Sequence, residues 1–226
     1  MKLKISGLAK IFNQKFLPLI DFYDNHVIVM YGSAGSGKSV ASADIIVLSL
    51  LNNRNQLIIR KVARTLRRSV FAEVQKSIQR LKVSKYFKIN KTEMTISCVN
   101  GYEAYFVGCD DPEKLKSIVP KKGMFNDIHC EEATELSFDE FMIIDSRQRG
   151  DDPRPRRIFL RFNPVHHKHW IKTEIIDSGK FDIYLHHSTY HDNRFLSEID
   201  KQRYENYKNQ SDYMYQVYRS EERRVG

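Results

Sequence analysis

The sequence predicts an α/β fold: a mostly parallel central sheet flanked by helices, with a β-hairpin insertion. Three observations carry that expectation. Apolar β-type runs recur at 27–31, 56–60, 126–130, 157–162 and 183–185, each of strand length. Segments of helical character fall between several of them, and strands alternating with helices build parallel sheets covered on both faces. The stretch "MTISCVNGYEAYFVG" sets Asn100-Gly101 between two β-rich runs, the pattern of a hairpin with a type I′ turn.

Each element has its own signal. The strand at 27–31 runs into a glycine cluster, and a helix rich in Ala, Ile, Val and Leu follows at 39–51. The strand at 56–60 is expected beside the first. A helix is expected over 63–81, where Leu66, Val70, Val74, Ile78 and Leu81 recur at spacings of four and three along one face. Further helices are expected at 138–144 and 169–176, and one at 196–208 appended after the sheet. With 226 residues, 41% of them hydrophobic, the chain can bury one substantial core plus an appendage. Residues 1–190 are expected to form one domain and 191–218 the start of a linker.

Composition narrows the setting. Cys98, Cys109 and Cys130 are scattered, which fits a reducing compartment and offers no zinc-type pair. No apolar run approaches the roughly 20 residues of a membrane span, and the N-terminus lacks a long apolar signal region. A cytoplasmic protein without a membrane partner is expected. The net charge of +9 favours polyanionic partners, although a merely soluble basic protein carries such charge too.

The strongest motif is "GSAGSGKS", residues 32–39. It matches the phosphate-binding pattern G-x-x-x-x-G-K-[ST] at Gly32, Gly37, Lys38 and Ser39, with Ser33, Ala34, Gly35 and Ser36 between. Such a loop turns its N–H groups into one concavity, and the helix behind it adds its positive end. Lys38 reaches the β- and γ-phosphates of ATP, and the Ser39 hydroxyl can bind Mg²⁺.

A second signal is "FNDIHCEEATELS", a β-like run ending in Glu131-Glu132. At the tip of a strand beside the phosphate-loop strand, where the pair is expected, one carboxylate can hold the Mg²⁺ shell and its neighbour can deprotonate an attacking water. The pair favours hydrolysis over phosphoryl transfer to a small molecule. Asp127 is a rival metal ligand, three residues short of the tip, and a charge cluster opening the next helix is the plainer alternative.

Between Arg54 and Lys91 there are twelve Lys or Arg and one acid, Glu73. Arg64, Arg67 and Arg68 lie away from the apolar stripe of their predicted helix, where they can contact a DNA backbone or remain a solvated face. Arg60 is placed to reach the ATP site. In "RFNPVHHKHW", Asn163-Pro164 ends a strand and presents a polar side chain able to sense a γ-phosphate. His166, His167, His169, His186, His187 and His191 complete no metal site. Asp192 and Asn193 are expected to cap or turn the chain.

Taken together, "YGSAGSGKS", "IRKVARTLRRSVFAEV", "DIHCEEATEL", "RQRG", "LRFNPVHHKHW" and "STYHDNRFL" resemble, in order, the large subunit of tailed-phage terminase, PBSX-like type, over about residues 20–210. The resemblance implies an ATPase of the additional-strand, catalytic-glutamate P-loop class that drives double-stranded DNA into a prohead. It implies Lys38 and Ser39 on phosphate and Mg²⁺, Glu131 as second Mg²⁺ site, Glu132 as hydrolytic base and Asn163 as coupling residue. Implied partners are the portal and prohead, the small terminase subunit and further copies in a ring. A helicase-like motor, or a binding fragment without turnover, stands as the alternative.

Two departures from the family pattern stand out. His129-Cys130 replace a bulky apolar strand end, and no arginine occupies the phosphate loop. An arginine finger must come from elsewhere, with Arg147 and Arg149 as candidates acting on a neighbouring subunit. Full-length members carry a nuclease domain, which is not expected here. The final "RSEERRVG", residues 219–226, resembles a translated sequencing adapter and is expected to be non-native.

Overall fold

The computed structural model describes residues 8–21, 25–110, 112–163 and 168–209. Pro164, His166, His167 and the 219–226 tail lie outside the described residues. Among the described residues, eight strands form one sheet: β1 (Val27–Gly32), β2 (Asn55–Arg60), β3 (Phe87–Asn90), β4 (Thr95–Cys98), β5 (Glu103–Gly108), β6 (Phe125–Glu131), β7 (Arg157–Phe162) and β8 (Ile183–Ser188). Their spatial order is β3-β4-β5-β2-β6-β7-β1-β8. The six strands from β5 to β8 in that order are parallel, and β4 and β3 join antiparallel at one edge.

The order corrects two expectations. Neither the strand of Glu131 nor that of Arg60 lies beside β1. The wholly buried β7 pairs with both β6 and β1, and β2 lies one strand further out. An added strand between the phosphate-loop strand and the acidic strand is what the additional-strand class means.

The helices are α1 (Leu8–Ile11), α2 (Pro18–Asp21), α3 (Lys38–Leu51), α4 (Ala63–Leu66), α5 (Val70–Arg80), α6 (Pro112–Ser117), α7 (Phe138–Asp145) and α8 (Glu198–Asn206). Alternation along the strands feeds both layers. Leu57 and Ile59 face a cluster with Phe141 and Ile144 of α7, whereas Ile58 faces Ile46, Val47, Val74 and Ile78 of α3 and α5.

Three local predictions change. The helix at 63–81 breaks between α4 and α5, where the Ser69 hydroxyl donates to the Thr65 carbonyl at 2.8 Å and diverts backbone bonding. Its apolar stripe survives the break: Leu66, Val70, Val74, Ile78 and Leu81 are all buried. The hairpin turn holds three residues rather than two: Cys98 bonds Tyr102, Gly101 N–H donates back to Cys98, and only Gly101 (φ +86°) is left-handed. A type I′ turn needs positive φ at both central residues, and Asn100 lacks it. Residues 169–176 yield a π-helical turn, Ile171–Ile176. Strand β3 escaped the sequence pattern because it is only four residues long and mostly exposed.

The N-terminal edge of the sheet is locked by one buried acid. Asp127 accepts from Arg54 (2.9 and 2.5 Å), Arg157 (2.8 and 3.0 Å) and Gln56 (2.9 Å). Burial alone would raise its pKa, but Arg157 and Arg54 outweigh that and hold it well below the carboxylate range. Asp127 is thereby removed from the metal role. His129 is equally internal: it stacks on Phe159 at 4.5 Å, and burial pushes its pKa down to about 3. The ring is neutral and fills the place of an apolar side chain.

Candidate functional site

The carboxyl ends of the parallel strands gather the phosphate loop after β1, Glu131-Glu132 after β6 and Asn163 after β7. Ligands of open parallel sheets bind at this edge. A cavity of about 390 Å³ opens there, lined by Ser33 to Ser39 together with Glu132, Arg161, Asn163 and Asn193.

The loop is held from below and from the side. Gly32 runs so close to β8 that a Cβ would overlap the Ser188 carbonyl oxygen. Ser33 N–H donates to that carbonyl at 3.2 Å, and the Ser33 hydroxyl accepts from Tyr190 N–H at 3.0 Å. Gly37, left-handed at φ +89°, caps α3. Lys38 Nζ donates to Gly32 O (2.7 Å), Ser33 O (2.8 Å), Ser36 Oγ (3.2 Å) and Asn163 Oδ1 (3.4 Å). Burial, then repulsion from Arg161, pushes the Lys38 pKa down to about 7 against a smaller upward pull from Glu132.

The acidic pair divides. Glu131 is buried and ion-paired to Arg161, whereas Glu132 lines the cavity. Glu132 sits at φ +49°, ψ +52°, a left-handed conformation that costs a non-glycine residue about 1–3 kcal/mol and clusters at working sites. Glu131 ends β6 and Glu132 opens a short 3₁₀ turn, Ala133–Glu135, while α7 starts separately at the Ser137–Glu140 capping box. Trp170 Nε1 donates to Leu136 O at 2.6 Å, pinning the segment after Glu132 from the far side of β7.

For Mg²⁺, Ser39 is exposed on the cavity wall and Glu131 Oε1 is buried without a hydrogen-bond partner. Those donors fit an ion that takes few protein oxygens and completes its shell with phosphates and water.

Other predicted residues fall elsewhere. Arg60, at the tip of β2, pairs with Glu135 at 3.3 Å and does not line the cavity; the two strands between β2 and β1 account for this correction. Arg147 is buried and donates to Ile118 O at 3.0 Å. Its neighbour Gln148 bonds Asn126 O and Arg157 O at the starts of β6 and β7. Arg147 and the exposed Arg149 thus sit at the sheet edge opposite their own phosphate loop. Arg64, Arg67 and Arg68 are exposed around the α4–α5 break, at the same edge as that loop.

Sequence reasoning missed two residues. Asn193 does more than turn the chain: its Nδ2 donates to Gly35 O at 2.8 Å. Arg161 hides within an apolar strand. Beside the loop, a second, mostly apolar cavity of about 420 Å³ is lined by Ile11, Asn13, Val40 and Phe195, with Lys10, Asp44 and Arg80 also on its wall.

The family model of the phage terminase large subunit matches residues 24–222. The chain belongs to the phage terminase large subunit family. It is 30% identical over 211 residues to the PBSX phage terminase large subunit of Bacillus subtilis (strain 168), covering 84% of this chain and 48% of that protein. It is 30% identical to the large terminase subunit of Bacillus phage SPP1, covering 75% and 42%. The chain therefore spans about half the length of the curated relatives it matches. Its fold is shared with the large terminase of a thermophilic bacteriophage (TM-score 0.72, 19% identity, 86% and 50% coverage). It is also shared with the ATPase domain of the Thermus phage P74-26 large terminase (0.64, 14%, 97% and 98%). No described helix of this terminase chain is long and apolar enough to cross a membrane.

Proposed function

We propose that this chain is the ATP-hydrolysing motor region of a terminase large subunit, coupling hydrolysis to movement of double-stranded DNA into a prohead in the host cytoplasm. The carrying observation is the convergence of the phosphate loop, left-handed Glu132 and Asn163 on one cavity. The thermophilic bacteriophage's large terminase, which shares the fold, has been solved with ADP and with ATP-γ-S.

In this reading Lys38 and the loop N–H groups grip the phosphates, and the base and ribose rest on the apolar cavity by Asn13 and Phe195. Ser39 and Glu131 would hold Mg²⁺, which would supply charge neutralisation at the phosphates. Glu132 takes the proton of a water directed at the γ-phosphorus. Asn163, 3.4 Å from Lys38 Nζ, reports loss of the γ-phosphate to the segment pinned by Trp170. Arg149 is the member of the Arg147–Arg149 pair open to a neighbouring subunit of a ring. Arg64, Arg67 and Arg68 carry DNA phosphates, and the portal and small terminase subunit complete the assembly.

Phosphate release from ATP, measured with and without duplex DNA, tests the reading. Hydrolysis that DNA stimulates and Lys38→Ala abolishes is expected. Turnover that survives Lys38→Ala contradicts it.

A further inference from the structure

Arg161 is the one charged side chain of the buried β7 that faces the phosphate cavity. It is nine-tenths buried, lines the cavity with Lys38, and pairs with Glu131 on the neighbouring strand. The pair is incomplete on its basic side, because Arg161 Nη1 has no hydrogen-bond partner. A buried donor left unsatisfied is costly, and a guanidinium has five N–H groups to place. The cost is explicable if an acceptor comes from the cavity. Geometry adds a second observation: Lys38 lines the same cavity as Arg161, so two basic side chains face one space. An anion with several acceptor oxygens between them relieves both problems. The phosphate loop itself contains no arginine, only Ser33, Ala34, Gly35 and Ser36 at its variable positions.

We propose that Arg161 is an in-chain phosphate ligand, held by Glu131, that recognises the terminal phosphate of a bound nucleoside triphosphate and so distinguishes it from the diphosphate. Position supports the terminal phosphate. The loop N–H groups enclose the phosphates nearer the nucleoside, while Arg161 enters from β7, two residues before Asn163. Glu131 acts here as a positioning residue. The proposal rests on the nucleotide reading above, and it concerns binding rather than turnover.

The test is titration of this chain with fluorescent ADP and with ATP-γ-S as its competitor, in EDTA so that no metal bridges Glu131 to phosphate. Arg161→Lys keeps the charge but loses the fork, and Arg161→Ala loses both. ADP affinity is expected to stay within about twofold, while ATP-γ-S affinity falls roughly tenfold or more in Arg161→Ala and less in Arg161→Lys. Equal losses for both nucleotides, or none, would overturn the proposal. If Arg161→Ala strands Glu131 and fails to fold, the neutral pair Glu131→Gln with Arg161→Gln replaces it, compared with Glu131→Gln alone. A selective ATP-γ-S loss is again expected, and a proportional loss again overturns the assignment. If the unaltered chain binds no ADP, the nucleotide reading itself fails, and that result is distinct from a chain binding both nucleotides without Arg161-dependent preference.

Discussion

Strand β6 carries a buried acid near each end, and each faces an arginine directly across on β7: Asp127 opposite Arg157, Glu131 opposite Arg161. The chemistry is the same and the outcome differs. At the N-terminal end, two arginines and Gln56 saturate both carboxylate oxygens. At the C-terminal end one arginine meets one acid, and Glu131 Oε1 and Arg161 Nη1 are both left over. A saturated ion pair holds strands together. An unsaturated one, beside a strained Glu132, keeps bonding capacity for something that enters the cavity.

If chemistry belongs to the unsaturated end, the largest effect comes from Glu132→Gln. Removing the general base should lower ATP hydrolysis by about 10²–10⁴-fold, with ADP binding retained in a titration. An unchanged rate would leave the strained backbone of Glu132 without a catalytic purpose.

The two acids should then part company in stability. Asp127→Ala leaves Arg54 and Arg157 buried without their partner, a loss of about 3–5 kcal/mol in urea unfolding. Glu131→Gln keeps the shape but leaves one buried arginine, Arg161, without its counter-charge where Asp127 serves two, so a smaller cost of about 1.5–3 kcal/mol is expected. Equal costs would erase the distinction between the two ends.

Protons offer a gentler probe of the same edge. Lys38 is held near pH 7 in the fold against an ordinary value of 10.5. Between those values the unfolded chain binds more protons, so this group's contribution to stability should rise with pH across that window and be least favourable below it. Phosphate beside Lys38 restores its charge. At pH 8 nucleotide binding should take up roughly one proton, read by calorimetry in buffers of different ionisation enthalpy and abolished in Lys38→Met.

Much of this was readable in advance because strands β1, β2, β6 and β7 are continuous apolar runs, and the phosphate loop is a pattern of local backbone needs. Strand order was not so local. The insertion of β7 is decided by which apolar strands pair across long stretches of chain, so Arg60 was misplaced. Arg161 and Arg157 look alike in the sequence; only the partners around each separate a structural clamp from a cavity wall. Asn193 was legible as a turn residue, but its bond to Gly35 depends on α8 and β8 folding back over the loop. The helix break at Ser69 turned on one hydroxyl competing for a carbonyl.

The smallest expected effect concerns DNA. Strand β2 ends at the same edge as the phosphate loop, so Arg64, Arg67 and Arg68 stand on the working side of the sheet, whereas Lys122 and Arg156 are exposed on the other. A backbone contact contributes modest affinity and a defined salt dependence, with a slope of about −0.9 per neutralised phosphate. Replacing all three arginines of the first group with alanine should flatten the plot of log affinity against log salt by about two to three, for any duplex sequence. Lys122→Ala with Arg156→Ala should leave that slope alone. Equal flattening from both sets would mean that DNA lies on the charge of the whole molecule, and that the nucleotide edge has no special hold on it.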